Sequence, residues 1–403
     1  MNRASINSGI RKPFAIAAVG ILLTALNEII QWPILKLWNI YANNGFIDFA
    51  VPLHHIDCFS RGVDIKILRS DIGVCSGYWY GEAWLQLGKL INLYQVNVYV
   101  LVFPLIFIFY WWFAVQFKTA IAGKELTARI LIVTLLLSPP LILLIQRGNL
   151  DLLMILILIS AALLLNSEKE RNVFLAFLII TFAVLIKFWA LPALIVVILR
   201  MKNRLLRIFS LLLSVIITVR VIGEYKQIQF GQAPQSNINV FGFKFLSVKI
   251  DSTTTFAMET SKSMILDLSF FLVVTAIIFL GFKIFQHKAS GELLSIQKLH
   301  DPIFAIFGSC YVFCYFASMN VDYRLVILII VGLRLVTLVN TKELINVILL
   351  IANATVWLTY PSGQLQIVGD FMASIFCATI LLLFTHEQVK RGMQKLSDSR
   401  TKL

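Results

Sequence analysis

Four aspartates, Asp48, Asp57, Asp64 and Asp71, fall within one segment, IDFAVPLHHIDCFSRGVDIKILRSDIGVCSGYWYGEAW, spanning residues 47–84. The chain around it is 59% hydrophobic and only 14% charged, so such a density of acids needs a reason. A hydroxyl group is a poor nucleophile, and a positioned carboxylate can take its proton as it attacks. Asp48, followed by Phe49-Ala50-Val51, is the candidate base of this kind. The plain alternative is a solvated acid or a helix cap, a description that suits Asp57, Asp64 and Asp71 better still.

The cations are as conspicuous. Arg147 opens the run Arg147-Gly148-Asn149-Leu150-Asp151, a tight turn between two apolar stretches. An arginine near a bilayer generally has a partner. Either it snorkels and pairs with Asp151, or its planar fork and the Asn149 amide bind an anionic head group such as a phosphate or diphosphate. Lys187 interrupts another apolar stretch just before Phe188, Trp189 and Pro192. It either reaches the interface or faces inward and holds phosphate. Asp322-Tyr323-Arg324 sits in a short turn, either as an ion pair that staples it or, through Arg324, as a third cation for the same anion, with Asp322 in support. Tyr78, Trp79 and Tyr80, with Trp84, are an interfacial belt or a platform for sugar faces. His54 and His55 are adjacent and share no helical face, and no ligand spacing recurs, so no metal and no cofactor are expected. A phosphate-cradling glycine motif is absent, which argues against ATP-driven transport.

These residues must be positioned by membrane helices. Apolar runs of roughly the 17–25 residues needed to cross a bilayer recur about twelve times and lack the alternation of a barrel strand. They fall at 14–32, 96–117, 130–145, 150–165, 208–222, 264–282, 302–317, 325–339, 344–358 and 367–384, with two more dividing 173–199 around Lys187. That last pair is short for two full crossings, so one is a broken or half-depth helix. The expected fold is all-α, a polytopic transmembrane bundle forming a single domain over 1–403. Two long connections, 33–95 and 223–263, and a basic tail, 385–403, complete it. The net charge of +14 comes from Lys and Arg gathered in short loops and at the ends, an orientation signal and no sign of nucleic acid as a partner. It puts both termini in the cytoplasm and both long connections outside. Asp48, Arg147, Asn149, Asp151, Lys187, Asp322 and Arg324 then converge on the outer face. Of five cysteines, Cys58 and Cys75 share the first connection, where a bridge is permitted if that side is oxidising. Cys310, Cys314 and Cys377 read as packing residues, and the basic N-terminus leads into a retained first span.

SPPLILLIQRGNLDLLMILILISAALLL, residues 138–165, resembles the signature of glycosyltransferase family 87, the mannosyltransferases that use polyprenol-phosphate sugars. Lys187-Phe188-Trp189-Ala190-Leu191-Pro192 is similar to that family's Lys-aromatic-x-Pro motif with one residue added. Asp48, Gly62-Val63-Asp64 and Tyr78-Trp79-Tyr80 resemble its first loop, departing from it at Ile65-Lys66 and Gly81. The likeness is best over 138–199, next best over 48–84, and beyond 202 extends only to the succession of spans. It implies a GT-C fold in the plasma (inner) membrane with an extracytoplasmic site. Asp48 corresponds to the catalytic aspartate; Arg147 and Lys187, and less directly Arg324, correspond to the donor-phosphate ligands. The implied activity is inverting transfer of one sugar, with mannose favoured, from a polyprenyl phosphate to an envelope glycan or glycolipid. Two readings compete. One is a glycan polymerase or ligase with a lipid-diphosphate donor, for which 223–263 is long enough. The other is a transporter of lipid-linked glycans, which an internal repeat would favour and this sequence lacks.

Overall fold

The computed structural model describes residues 46–65, 75, 78, 80–167, 169–227, 240–241, 301–317, 320–321, 325–339, 342–359 and 368–383. Turns aside, these residues are helical, with one antiparallel pair, β1 (Val240–Phe241) and β2 (Asn320–Val321), in which Val240 faces Val321. Among the described residues, three helical stretches are long and apolar enough to cross a membrane: Val98–Ile121, Leu126–Gln146 and Arg204–Glu224. At 1.5 Å per residue, the shortest of them spans about 30 Å, the thickness of a hydrocarbon core. Their outward apolar side chains, such as Val219 at 67% and Ile216 at 65% exposure, suit lipid contact. Apart from the β1–β2 pair, the described residues are those of a helical membrane protein.

The chain forms two compact units, residues 1–119 with 139–238, and residues 120–138 with 239–403. The first contains α1 (Ile47–Ser60), α2 (Glu82–Leu90), nearly all of α3 (Val98–Ile121), α5 (Pro139–Gln146), α6 (Leu150–Leu165), α7 (Glu170–Ile186), α8 (Leu191–Arg200) and α9 (Arg204–Gln227). α6, apolar around most of its circumference, is buried on most sides and packs along α7. Asn149 caps it, accepting the Asp151 N–H at 2.8 Å and satisfying one of the orphan donors of a helix start. Before the cap stands Gly148 at φ +52°, where a Cβ would lie 2.7 Å from Phe46 Cδ1 and 2.9 Å from Val102 Cγ1. Only glycine fits.

The expected break in 173–199 is present. α7 stops at Ile186, Lys187 is extended, and a one-turn helix at Phe188–Ala190 leads into α8, whose Pro192 sits where a helix start tolerates it. The break exposes α7 carbonyls. Gly81 fills the gap, donating its N–H to Ile186 O at 2.8 Å so closely that a Cβ would lie 1.8 Å from Leu185 O.

The first connection, 33–95, contains two helices, α1 and α2, among its described residues. Cys58 and Cys75 form a disulfide that ties the end of α1 to the following segment. The second connection needs correcting: α9 runs through Gln227, so 223–227 is helix. Glu224 extends it by pairing with Arg220 at 2.8 Å, an i,i+4 contact that hydropathy does not register. Most of 223–263, the spans at 14–32 and 264–282, and the tail 385–403 lie outside the described residues.

The second unit contains α4 (Leu126–Leu136), α10 (Pro302–Ala317), α11 (Val326–Leu338), α12 (Lys342–Leu358) and α13 (Val368–Leu383), with β1 and β2. Polar contacts join its helices where apolar surface alone gives little preference. Asn353 donates to Leu131 O at 2.8 Å and accepts from Thr134, while Tyr311 donates to Ala373 O at 3.1 Å. Cys310, Cys314 and Cys377 are buried and are not joined in a disulfide.

Candidate functional site

The first unit gathers residues from three separate segments into one hydrogen-bonded cluster. Phe46 and Asp48 donate their N–H groups to the carbonyls of Gln146 and Arg147, both at 3.2 Å, so the start of α1 is laced to the turn between α5 and α6. Phe46 itself is fully buried at φ +59°, edge-on to Tyr99 and Phe103. A bulky residue held left-handed costs on the order of 1–3 kcal/mol, and such strain concentrates at functional sites.

This lacing brings Asp48, in the first turn of α1, against the Arg147 side chain. Arg147 Nε donates to Asp48 Oδ2 at 2.7 Å and Nη2 to Oδ1 at 2.5 Å, a bidentate fork. Asn149 Nδ2 adds a third bond to Oδ2 at 2.8 Å. A carboxylate offers about four lone-pair positions, so these bonds leave one on Oδ1. The pair lies at an edge, with the Arg147 side chain 41% exposed and that of Asp48 14%.

Behind it is a second pair. Lys187 Nζ donates to Asp151 Oδ1 at 2.7 Å and, more weakly, to Asn149 Oδ1 at 3.3 Å. Trp189 Nε1 donates to the same Asp151 oxygen at 2.8 Å, and the Tyr80 ring lies 4.8 Å from the ammonium. Asn149 therefore bridges both pairs. The break after α7 makes this arrangement possible, because an extended Lys187 and the turn at Phe188–Ala190 turn both donors onto the start of α6.

Several expectations change. Arg147 pairs with Asp48 and not with Asp151, since Arg147 precedes the α6 cap and shares no helical face with Asp151. Lys187, expected to hold phosphate or snorkel, is buried with its ammonium bonded to Asp151 and Asn149. Among the described residues the cluster holds two formal cations, Arg147 and Lys187, and two formal anions, Asp48 and Asp151, while Arg324, the third cation expected there, lies outside them. Tyr78 is also no sugar platform. It is 1% exposed, edge-on to His55 and hydrogen-bonded to Gly81 O at 2.8 Å. Burial, aided by the carboxylates of Glu224 and Glu82, holds its phenol well above the usual tyrosine value. Tyr80 remains half-buried beside Lys187.

Asp64 is exposed and lines a separate shallow depression of about 180 Å³ with Phe59, Gly62, Val63, Ile65 and Leu85. Asp57 pairs with Arg61 at 2.9 Å. Trp79, Asp71, Asp322 and Arg324 lie outside the described residues. His54, Cys58 and Cys75 offer ligand atoms within 4.8 Å of one another, but both sulfurs are joined in the disulfide and present no thiolate to a metal. Reading the sequence missed Trp189 as a donor to Asp151, Phe46 as the strained wedge, and Gln146 altogether. A polar residue ending an apolar run just before an arginine was the available signal. No protein-family model, curated protein or solved structure matches this chain.

Proposed function

We propose that the protein is a membrane glycosyltransferase of the GT-C type that transfers one sugar from a polyprenyl phosphate to a glycan or glycolipid acceptor outside the cytoplasm. The observation that carries this reading is the Asp48–Arg147–Asn149 cluster: a carboxylate with one open acceptor position, beside a half-exposed guanidinium, at the edge of a membrane bundle. The acceptor hydroxyl attacks the anomeric carbon and yields its proton to Asp48 Oδ1. The bond from that carbon to the phosphate oxygen breaks, and polyprenyl phosphate leaves with the electron pair. Arg147 meets the charge that builds on the leaving oxygen, where preorganised donors are most effective. The donor phosphate also competes with Asp48 for the Arg147 fork, so binding donor loosens the pair and makes the carboxylate a better base. Lys187 acts one step back, holding Asp151 and Asn149 and through them the turn.

The disulfide between Cys58 and Cys75 supports an extracytoplasmic position for the C-terminal end of α1, since disulfides persist in oxidising compartments. With the basic-loop bias this favours cytoplasmic termini, about twelve spans and the plasma membrane. Mannose as the sugar rests on the family resemblance alone.

The test is transfer by the purified full chain in nanodiscs, offered synthetic polyprenyl-phosphate and polyprenyl-diphosphate sugars with candidate acceptors. Turnover of the monophosphate, lost in Asp48→Asn, is the expected result. Turnover of the diphosphate alone makes the protein a polymerase or ligase, and movement of intact lipid-linked glycan without turnover makes it a transporter.

A further inference from the structure

Gln146, one peptide before Arg147, is 3% exposed, and neither Nε2 nor Oε1 of its amide makes a hydrogen bond. Its main chain is engaged, the carbonyl receiving the Phe46 N–H. Native interiors leave few polar side-chain atoms unmet, and among the described residues no other buried amide has both ends so. Leucine or methionine would fill the same volume at the end of the apolar helix α5 without that penalty. The residue type costs stability where it stands, and it stands in the turn that carries the site.

We infer that Gln146 is a substrate contact and that the group it takes is a sugar hydroxyl. The chemical class rests on the glycosyltransferase reading above; the need for a polar partner does not. A hydroxyl donates and accepts, so one hydroxyl, or two neighbouring ones, meets both ends of the amide. A phosphate accepts only and leaves Oε1 unmet; an ammonium donates only and leaves Nε2 unmet. The peptide link sets the Gln146 Cα about 3.8 Å from that of Arg147. With the donor phosphate on Arg147, the inference requires the Gln146 side chain, enclosed as it stands, to turn toward the ring attached to that phosphate. A site that hydrogen-bonds a substrate hydroxyl rejects the ligand that lacks it, because its own polar atoms are then stranded. Gln146 on this account is the residue that distinguishes one sugar epimer from another.

The experiment compares the full-length wild type and Gln146→Leu in nanodiscs. It measures KM and kcat for a preferred polyprenyl-phosphate hexose and its epimers, inhibition by bare polyprenyl phosphate, and Tm. The expected result for Gln146→Leu is a Tm equal to or above wild type and a KM raised about tenfold for the preferred donor, the scale of a lost hydrogen bond. Epimer preference narrows to match, while inhibition by bare polyprenyl phosphate, which Arg147 holds, is unchanged. Unaltered KM and preference overturn the inference whichever way Tm moves. A higher Tm then marks an idle buried amide, and a lower one marks an amide bonded to ordered water. Should Gln146→Leu fail to fold, Gln146→Met gives the same reading. Wild type that turns over none of the donors removes the glycosyltransferase reading and this inference with it, whereas an active wild type with an indifferent Gln146→Leu removes the inference alone.

Discussion

Asp48 with Arg147 and Asp151 with Lys187 are two carboxylate–cation pairs that share Asn149, yet their surroundings differ. The Lys187 and Asp151 side chains are 5% and 2% exposed, against 41% for Arg147 and 14% for Asp48. A half-exposed guanidinium keeps part of its hydration, so exchanging the partner at Arg147 costs less than it would for the enclosed Lys187. In a buried pair, removing one partner strands a charge away from water and costs about 3–5 kcal/mol. One cluster therefore holds a labile edge and a fixed interior. The labile pair is suited to meeting an anionic substrate, and the fixed one to keeping the turn in register while that happens.

The sharpest way to break this comparison is Asp48→Asn. The amide keeps the shape but cannot take a proton, so transfer should fall about 10²–10⁴-fold, the usual weight of a general base. Tm should hardly move, because the pair lies at the edge. Near-normal turnover would remove Asp48 from the chemistry. Lys187→Met should show the reverse pattern, a loss of about 3–5 kcal/mol in stability, read as a much lower Tm or a failure to accumulate. Lys187→Met with Asp151→Leu, which removes both charges, should regain part of that loss. If Lys187→Met unfolds at the wild-type temperature, the interior pair is not the fixed element described here.

Part of this arrangement was legible beforehand. Asp48, Arg147, Asn149, Asp151 and Lys187 stand out because ionisable and amide groups beside apolar runs are expensive and uncommon. The partners were not legible. Spacing offers Arg147 and Asp151 as an i,i+4 pair, a rule that holds only within a helix, and Arg147 lies outside α6. The aromatic row from Tyr78 to Tyr80 reads as a surface, yet Tyr78 is buried edge-on to His55, a contact that no local pattern announces. Hydropathy found the span around α3 because it sees the bilayer. It missed α1, where Pro52 and scattered polar residues blur the helical period, and the end of α9, which is polar and helical at once.

Gly148→Ala tests the joint between the two pairs. Alanine at φ +52° costs about 1–2 kcal/mol, and its Cβ would meet Phe46 and Val102 at distances that force one of them to move, for about 1–3 kcal/mol more. Since Phe46 carries the backbone that delivers Asp48, transfer should fall together with Tm, whereas each pair alone affects mainly one of them. A variant that loses stability but keeps full turnover would show that the α1 lacing does not position Asp48.

Trp189→Phe probes the fixed pair with the smallest change. The indole N–H donates to Asp151 Oδ1 beside the Lys187 ammonium, and phenylalanine keeps most of the ring while removing it. A hydrogen bond to a charged group contributes about 1.5–3 kcal/mol, so Tm should drop by less than in Lys187→Met. The effect on transfer separates two views of the interior. If Asp151 only anchors Lys187, the remaining 2.7 Å contact suffices and kcat stays near wild type. If the orientation of Asp151 also fixes Asn149, whose Oδ1 receives both the Asp151 N–H and the Lys187 ammonium, loosening the carboxylate shifts the Asn149 amide that bonds Asp48. Then kcat falls while donor KM is spared, because Arg147 still meets the phosphate. That split, with both pairs chemically intact, would show the interior reaching the edge through a single amide.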